Sequence, residues 1–157
     1  MPSGLRGRLE ELPELTTNQK GLIAETAIVH EAVKYGLCVL RPFSDERYDL
    51  VLDVGGRFVR LQCKWARRRN EVVVVVCHSN RRAPEGFRRR TYSGGETDVI
   101  AAYCPDVNCC YFIPASIFSG RSQLHLRLEG TRNNQRRGIH WARDYEFEAT
   151  LGSLSGP

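Results

Sequence analysis

The sequence predicts an α/β domain, a central mixed β-sheet flanked by helices, on three observations. A capped, apolar-periodic stretch runs from Thr16 to Tyr35. Two alternating apolar runs flank Gly55-Gly56, and five consecutive valines fill the segment Glu71–His78. Helix, strands, a second helix and further strands form the pattern of a sheet with helices packed upon it. A length of 157 residues suits one domain, and 41% hydrophobic with 26% charged residues suits a globular one. The expected organisation is a lead-in over 1–15, broken by Pro2 and Pro13, a domain over 16–150 and a loose tail over 151–157.

Each element has its own signal. Thr16 and Gln19 stand at capping-box spacing, and Gly36 suits the left-handed residue past the helix end. Within this helix Leu22, Val29, Ala32 and Val33 share a face that also carries Glu25, and a carboxylate in an apolar stripe is costly unless partnered. Leu37–Leu40 reads as a short strand. Tyr48–Asp53 and Phe58–Trp65 read as a hairpin closed by the glycine pair. Glu71–His78 reads as a buried central strand. Thr97–Tyr103 reads as a short helix whose start Glu96 and Asp98 would serve. Cys110–Pro114 and Leu124–Leu128 read as strands.

Composition and charge exclude several classes. The longest apolar run, Val72–Cys77, is far short of the roughly 20 residues that span a bilayer, and the first residues do not resemble a secretory signal. The expectation is a cytoplasmic protein with its six cysteines reduced. No C-x-x-C pair exists, and no zinc site is expected. The net charge of +5 is unevenly distributed. Residues 1–66 hold nine Lys/Arg against nine Asp/Glu; residues 67–95 hold eight Arg against two Glu; residues 96–157 hold six Arg against seven acids. The excess lies in one arginine segment, as expected of a chain that faces a polyanion.

The hairpin turn fixes a register. With Gly55 and Gly56 as the loop, opposed residues sum to 111, so Leu50 faces Leu61 and Leu52 faces Val59 on the apolar side. On the other side Asp49 faces Gln62, and Lys64 projects diagonally to Asp49. Asp49, Gln62 and Lys64 thus gather on one sheet face, onto which Glu25 could pack. A hard cation could take oxygens from Asp49, Gln62 and the Cys63 backbone carbonyl, and Lys64 could orient water and offset developing charge. Only three lysines occur against twenty arginines, which sets Lys64 apart. The plainer alternative is a cross-strand Asp49–Lys64 ion pair with Gln62 as polar filler.

These residues resemble the PD-(D/E)XK nuclease superfamily: a helix with Gly21 and Glu25, then Tyr48-Asp49-Leu50-Val51-Leu52-Asp53, a hairpin, and Leu61-Gln62-Cys63-Lys64-Trp65. Within it, the group I intron-associated homing endonucleases of this type resemble the chain most, through Tyr92…Asp98-Val-Ile-Ala-Ala-Tyr103, Cys110-Tyr-Phe-Ile-Pro114, Asn133-Asn134-Gln135 and Trp141-Ala-Arg-Asp-Tyr145. The resemblance implies a restriction-endonuclease-like core and cleavage of double-stranded DNA with Mg²⁺, for which Mn²⁺ can substitute. It implies a homodimer or homotetramer, since two strands need two active sites. Asp49 would bind metal, Lys64 would be the catalytic lysine and Glu25 the helix acid. Gln62 departs from the usual Asp or Glu, which puts a two-metal mechanism in doubt, and Tyr48 replaces the motif's proline. Arg67, Arg68, Arg69, Arg81, Arg82, Arg88, Arg89 and Arg90 would line the DNA, with Gln135, Arg136 and Arg137 as a second surface. The expected function is that of a site-specific, homing-type DNA endonuclease. The alternatives are a structure-selective nuclease, such as a Holliday-junction resolvase or repair nuclease, and a non-catalytic DNA-binding relative.

Overall fold

In the computed structural model, residues 13–130, 133 and 136–154 are described. Helix α1 spans Thr17–Lys34 and begins with the capping box in full: Gln19 N–H donates to Thr16 Oγ1 at 3.2 Å, and Thr16 N–H donates to Gln19 Oε1 at 2.9 Å. Gly36, at φ 76°, turns the chain beyond it. The buried stripe of α1 is Ala24, Ile28 and Ala32, four residues apart. Leu22 and Val33, expected in the stripe, are 58% and 57% exposed. The helix buries Ile28 between two alanines against β3 and β8, and Glu25, next to Ala24, is left three-quarters buried at the edge of that stripe.

Strands β1 (Cys38–Leu40), β2 (Leu50–Val54), β3 (Arg57–Trp65), β8 (Val99–Cys104) and β9 (Cys109–Pro114) form a five-stranded sheet in the order β1-β2-β3-β8-β9. The β2–β3 register is the one the glycine pair predicts, with Leu50 opposite Leu61 and Leu52 opposite Val59. Both turn glycines have positive φ, 61° and 85°, as a tight two-residue turn requires. Helix α1 packs on β3 and β8.

The segment Thr97–Tyr103 is not helical. Residues 99–104 form β8, which runs parallel to β3, with Leu61 beside Val99 and Lys64 beside Ala102. Sequence periodicity fails here because the strand is covered on both sides. Val99 and Ala101 enter one core with Leu50, Leu52 and Leu61, while Ile100, Ala102 and Cys104 enter the other with Val73, Val75 and Phe118. A strand buried on both faces reads as a continuous apolar run. Without a helix, Glu96 and Asp98 serve no dipole. Asp98 instead pairs with Arg60, at 2.9 Å from Nη2 to Oδ1.

The valine strand β5 (Val72–Val76) belongs to a second sheet, ordered β11-β10-β5-β4, with β4 at Arg67–Arg69, β10 at Gln123–Arg127 and β11 at His140–Trp141. It is central there, between β10 and β4 and antiparallel to both. The other five arginines of the basic segment, Arg81, Arg82 and Arg88–Arg90, lie on a separate two-stranded ribbon, β6 (His78–Ala83) paired with β7 (Gly86–Thr91). A four-residue helix α2 (Ala115–Phe118) and a 3₁₀ turn over Ala142–Tyr145 precede α3 (Phe147–Leu154). Gly152–Leu154, expected in a loose tail, are the end of α3, and Leu154 is buried against the first core. Among the described residues, no helix is long and apolar enough to cross a membrane.

Candidate active site

Asp49 stands just before β2, and its N–H donates to the Leu61 carbonyl at 2.7 Å, which ties it to β3 beyond the last paired residues, Leu50 and Leu61. This holds its carboxylate against the β3 backbone. Asp49 Oδ2 accepts from Cys63 N–H at 2.8 Å and from Gln62 Nε2 at 2.7 Å. The Gln62 amide nitrogen also lies 3.5 Å from the Cys63 carbonyl oxygen. Burial raises the pKa of Asp49 and the charge of Glu25 adds to that; the Cys63 N–H, Lys64 and Arg41 work against it, and the net direction is upward. Burial likewise pushes the Cys63 thiol well up, with help from Asp49 and Glu25, so Cys63 offers this site its backbone carbonyl.

Lys64 projects from the same face of β3 but does not pair with Asp49. Its ammonium donates to the His78 carbonyl at 3.0 Å and sits 5.0 Å from the centre of the Tyr92 ring. The cross-strand ion pair is therefore not formed, and the lysine is tethered to the root of the β6–β7 ribbon. Arg47 covers the same ring at 4.1 Å. It donates to Ser79 Oγ at 2.7 Å and to the Thr91 carbonyl at 3.0 Å, so the ribbon's first and last residues are tied to both cations. Glu96 pairs with Arg47 at 3.6 Å and closely with Arg90.

Glu25 is three-quarters buried and pairs with Arg41, at 2.5 Å from Nη2 to Oε2. That partner answers the cost of placing a carboxylate beside the core. Glu25, Arg41 and Asp49 line one small cleft, and Asp49 with Gln62 also lines a larger cleft of about 500 Å³. The two clefts share Asp45, Glu46 and Asp49, so three carboxylates border a common mouth.

The oxygen donors of Asp49, Gln62 and the Cys63 carbonyl suit a hard cation. Among the described residues no three His, Cys, Asp or Glu side chains cluster as metal ligands, so any such site relies on the amide and the carbonyl. In the present arrangement the Gln62 NH₂ stands between Asp49 Oδ2 and the Cys63 oxygen, where its hydrogens satisfy both acceptors. Turning the amide end for end brings its oxygen to the same point, and the donor set then fits a cation.

The structure thus brings Asp49 and Gln62 to the larger cleft, with the Cys63 backbone bonded to Asp49 and Lys64 held over the Tyr92 ring that also lines the cleft; Glu25 lines the neighbouring one. Arg81 and Arg90 line the larger cleft, while Arg82, Arg88 and Arg89 are exposed along the ribbon. Arg67, Arg68 and Arg69 are exposed on β4, where Arg68 N–H donates to Asp106 Oδ2 at 2.9 Å. Arg136 and Arg137 are exposed ahead of β11, and Gln135 lies outside the described residues. Sequence reasoning missed Arg41, Arg47 and the contacts of Tyr92. The charged run Asp45-Glu46-Arg47 directly before Tyr48-Asp49 was the available signal for Arg47; Tyr92 entered only through the family resemblance, and its contacts with Lys64 and Arg47 had no local signal, because those partners come from β3 and from the loop before β2.

The chain is similar in structure to the bacterial homing endonuclease I-Ssp6803I, at 27% identity and a TM-score of 0.71, over 91% of this chain and 99% of that one. No curated protein matches the sequence. The family model described as PD-(D/E)XK endonuclease matches residues 15–148. That span runs from the cap of α1 into α3 and includes both sheets, and on it the chain belongs to the PD-(D/E)XK endonuclease family.

Proposed function

We propose that the protein is a site-specific DNA endonuclease of the homing type, which hydrolyses both strands of a duplex with Mg²⁺, or with Mn²⁺ in its place. The observation that carries this reading is the cleft that Asp49 and Gln62 line beside a ribbon rich in arginine, with Lys64 over the Tyr92 ring at its wall. The structural likeness to a bacterial homing endonuclease supports it. Asp49, the Gln62 amide oxygen and the Cys63 carbonyl would hold the cation, which supplies polarisation of the phosphoryl oxygen and a more acidic water. Lys64, held over the Tyr92 ring, offsets charge that develops on the phosphate. Glu25 orients Arg41 and adds negative potential beside Asp49. Gln62 leaves the site one charge short of the usual acidic pair, which favours a single cation.

Arg67–Arg69, Arg81, Arg82 and Arg88–Arg90 hold the duplex, with Gln135, Arg136 and Arg137 as a second surface. Cutting two strands calls for two copies of the chain, as a homodimer or homotetramer. The setting is the cytoplasm of the host of a mobile group I intron. The test is Mg²⁺-dependent cleavage of a supercoiled plasmid library alongside a four-way junction. Discrete linear products from the library support the reading, cleavage of the junction alone points to a resolvase, and binding without cleavage points to a non-catalytic reader of DNA.

A further inference from the structure

The β6–β7 ribbon presents two faces of different character. Its register sets Ser79 opposite Arg90 and Arg81 opposite Arg88, and in the alternate positions Asn80 opposite Arg89 and Arg82 opposite Phe87. Opposed residues of an antiparallel pair share a face, and alternation puts the two sets on opposite faces. The first face turns toward the catalytic cleft, which Ser79, Arg81 and Arg90 line. Three of its four residues are engaged: Arg90 pairs with Glu96, Ser79 accepts from Arg47, and Arg88 pairs with Glu85 at 2.9 Å, while Arg81 has no partner of this kind among the described residues.

The second face is not engaged. Among the described residues, Asn80, Arg82 and Arg89 have no side-chain hydrogen bond or ion pair, and Phe87 is 74% exposed beside them. Asn80, at the root of this face, also borders the cleft. An amide, two guanidiniums and an exposed aromatic ring, all free, are the groups that read base edges. Arginine bonds guanine O6 and N7, asparagine bonds adenine N6 and N7, and an apolar ring meets the thymine methyl. A two-stranded ribbon fits the major groove. Asn80 and Arg82 are two residues apart, about 6.8 Å along a strand, which spans about two base-pair steps.

We propose that Asn80, Arg82, Phe87 and Arg89 form the face of this protein that reads bases in the major groove, while Arg81, Arg88 and Arg90 on the other face hold phosphates near the scissile bond. This rests on the DNA-endonuclease reading above and names the residues that set its specificity. Because the ribbon's root is bonded to Lys64 through His78 and to Arg47 through Ser79 and Thr91, seating this face in the groove fixes the distance from the read bases to the catalytic lysine.

The experiment is selection of bound duplexes from a randomised DNA library, sequenced for the full-length wild type and for Asn80→Ala, Arg89→Ala and Arg81→Ala, with Ca²⁺ in place of Mg²⁺ to prevent cleavage. Circular dichroism checks that each variant is folded. The proposal expects Asn80→Ala and Arg89→Ala each to lose roughly ten- to hundred-fold discrimination at one or two adjacent base pairs. It expects Arg81→Ala to weaken binding evenly across sequences, and to lower the salt slope by about one, without moving the preference profile. A wild type that selects a sequence which Asn80→Ala and Arg89→Ala select unchanged overturns this proposal alone. So does an altered preference confined to Arg81→Ala. A wild type that selects no sequence at all overturns both this proposal and site-specific cleavage.

Discussion

Gln62 Nε2 lies 2.7 Å from Asp49 Oδ2, so the neutral residue of the motif donates to the acidic one. A second carboxylate in its place would repel the first and strongly raise the pKa of one of the pair. Here the amide occupies that place and holds the site together by itself, at the cost of one negative charge.

Replacing Gln62 by Glu removes that donor and sets a second carboxylate against Asp49. In EDTA at neutral pH, Gln62→Glu should melt about 4–8 °C lower than the wild type, from roughly 2 kcal/mol of lost charged hydrogen bonding and added repulsion. Added Mn²⁺ should raise its melting temperature by more than that of the wild type, because the new pair binds a cation more strongly. Thermal melts with and without metal check both points.

The raised pKa of Asp49 has a definite consequence for stability. The folded protein holds the Asp49 proton more tightly than the unfolded chain does. Its contribution to stability is therefore full below about pH 4, where the unfolded carboxyl also is protonated, and is lost as pH rises through the folded value. Asn at this position remains neutral. Asp49→Asn should match the wild type near pH 4 and be the more stable of the two at pH 7 in EDTA, while metal no longer raises its melting temperature.

Lys64 depends on two neighbours that are not charged, the His78 carbonyl and the Tyr92 ring, which is 3% exposed. Lys64→Ala should lower the cleavage rate by about 10²–10³-fold with DNA affinity changed only a few-fold. Tyr92→Leu, which removes the ring from beneath both Lys64 and Arg47, should lower kcat while leaving KM near its wild-type value, and Tyr92→Phe should retain most of the rate. Single-turnover cleavage separates these outcomes from simple loss of fold.

Away from the cleft, Arg60 and Asp98 pin the turn before β8 to β3. Arg60 donates to both Asp98 oxygens and to the carbonyls of Gly94 and Gly95, and its own N–H also donates to Asp98. Burial acts to raise the Asp98 pKa, but these bonds from Arg60 outweigh it, and the net direction is down. The linked stability is present at neutral pH and falls away as pH drops below about 4. Asp98→Ala should cost about 2 kcal/mol, or about 4–8 °C, and flatten the acid limb of the stability curve, as melts across pH 3–7 would reveal.

The parts of this fold that were legible in the sequence are those with a local cause. Thr16, Gln19 and Gly36 bound α1 by capping chemistry, and Gly55-Gly56 sets the register that puts Leu50 opposite Leu61, which leaves Asp49 within reach of the Gln62 side chain. The parts that were not legible depend on what covers an element. Val99–Tyr103 is apolar throughout because β8 feeds two cores, and that erases the alternation which distinguishes a strand from a helix. The ribbon strands His78–Ala83 and Gly86–Thr91 are mostly exposed on both faces, so their arginines read as a charged segment with no secondary-structure period. Leu22 and Val33 fit a helical stripe by spacing, yet α1 buries Ala24, Ile28 and Ala32 instead, because the face it turns to β3 and β8 is set by tertiary packing. Tyr92 joins Lys64 and Arg47 only through tertiary packing, which no local pattern records.

The most direct measurement is cleavage of a supercoiled plasmid library by the wild type, Asp49→Ala and Lys64→Ala, each with Mg²⁺ and with EDTA. Discrete linear products from the wild type in Mg²⁺, absent in EDTA and absent from both variants, are the predicted result. Products that persist in either variant, or DNA left intact by the wild type at every concentration, would contradict a nuclease centre built on Asp49 and Lys64.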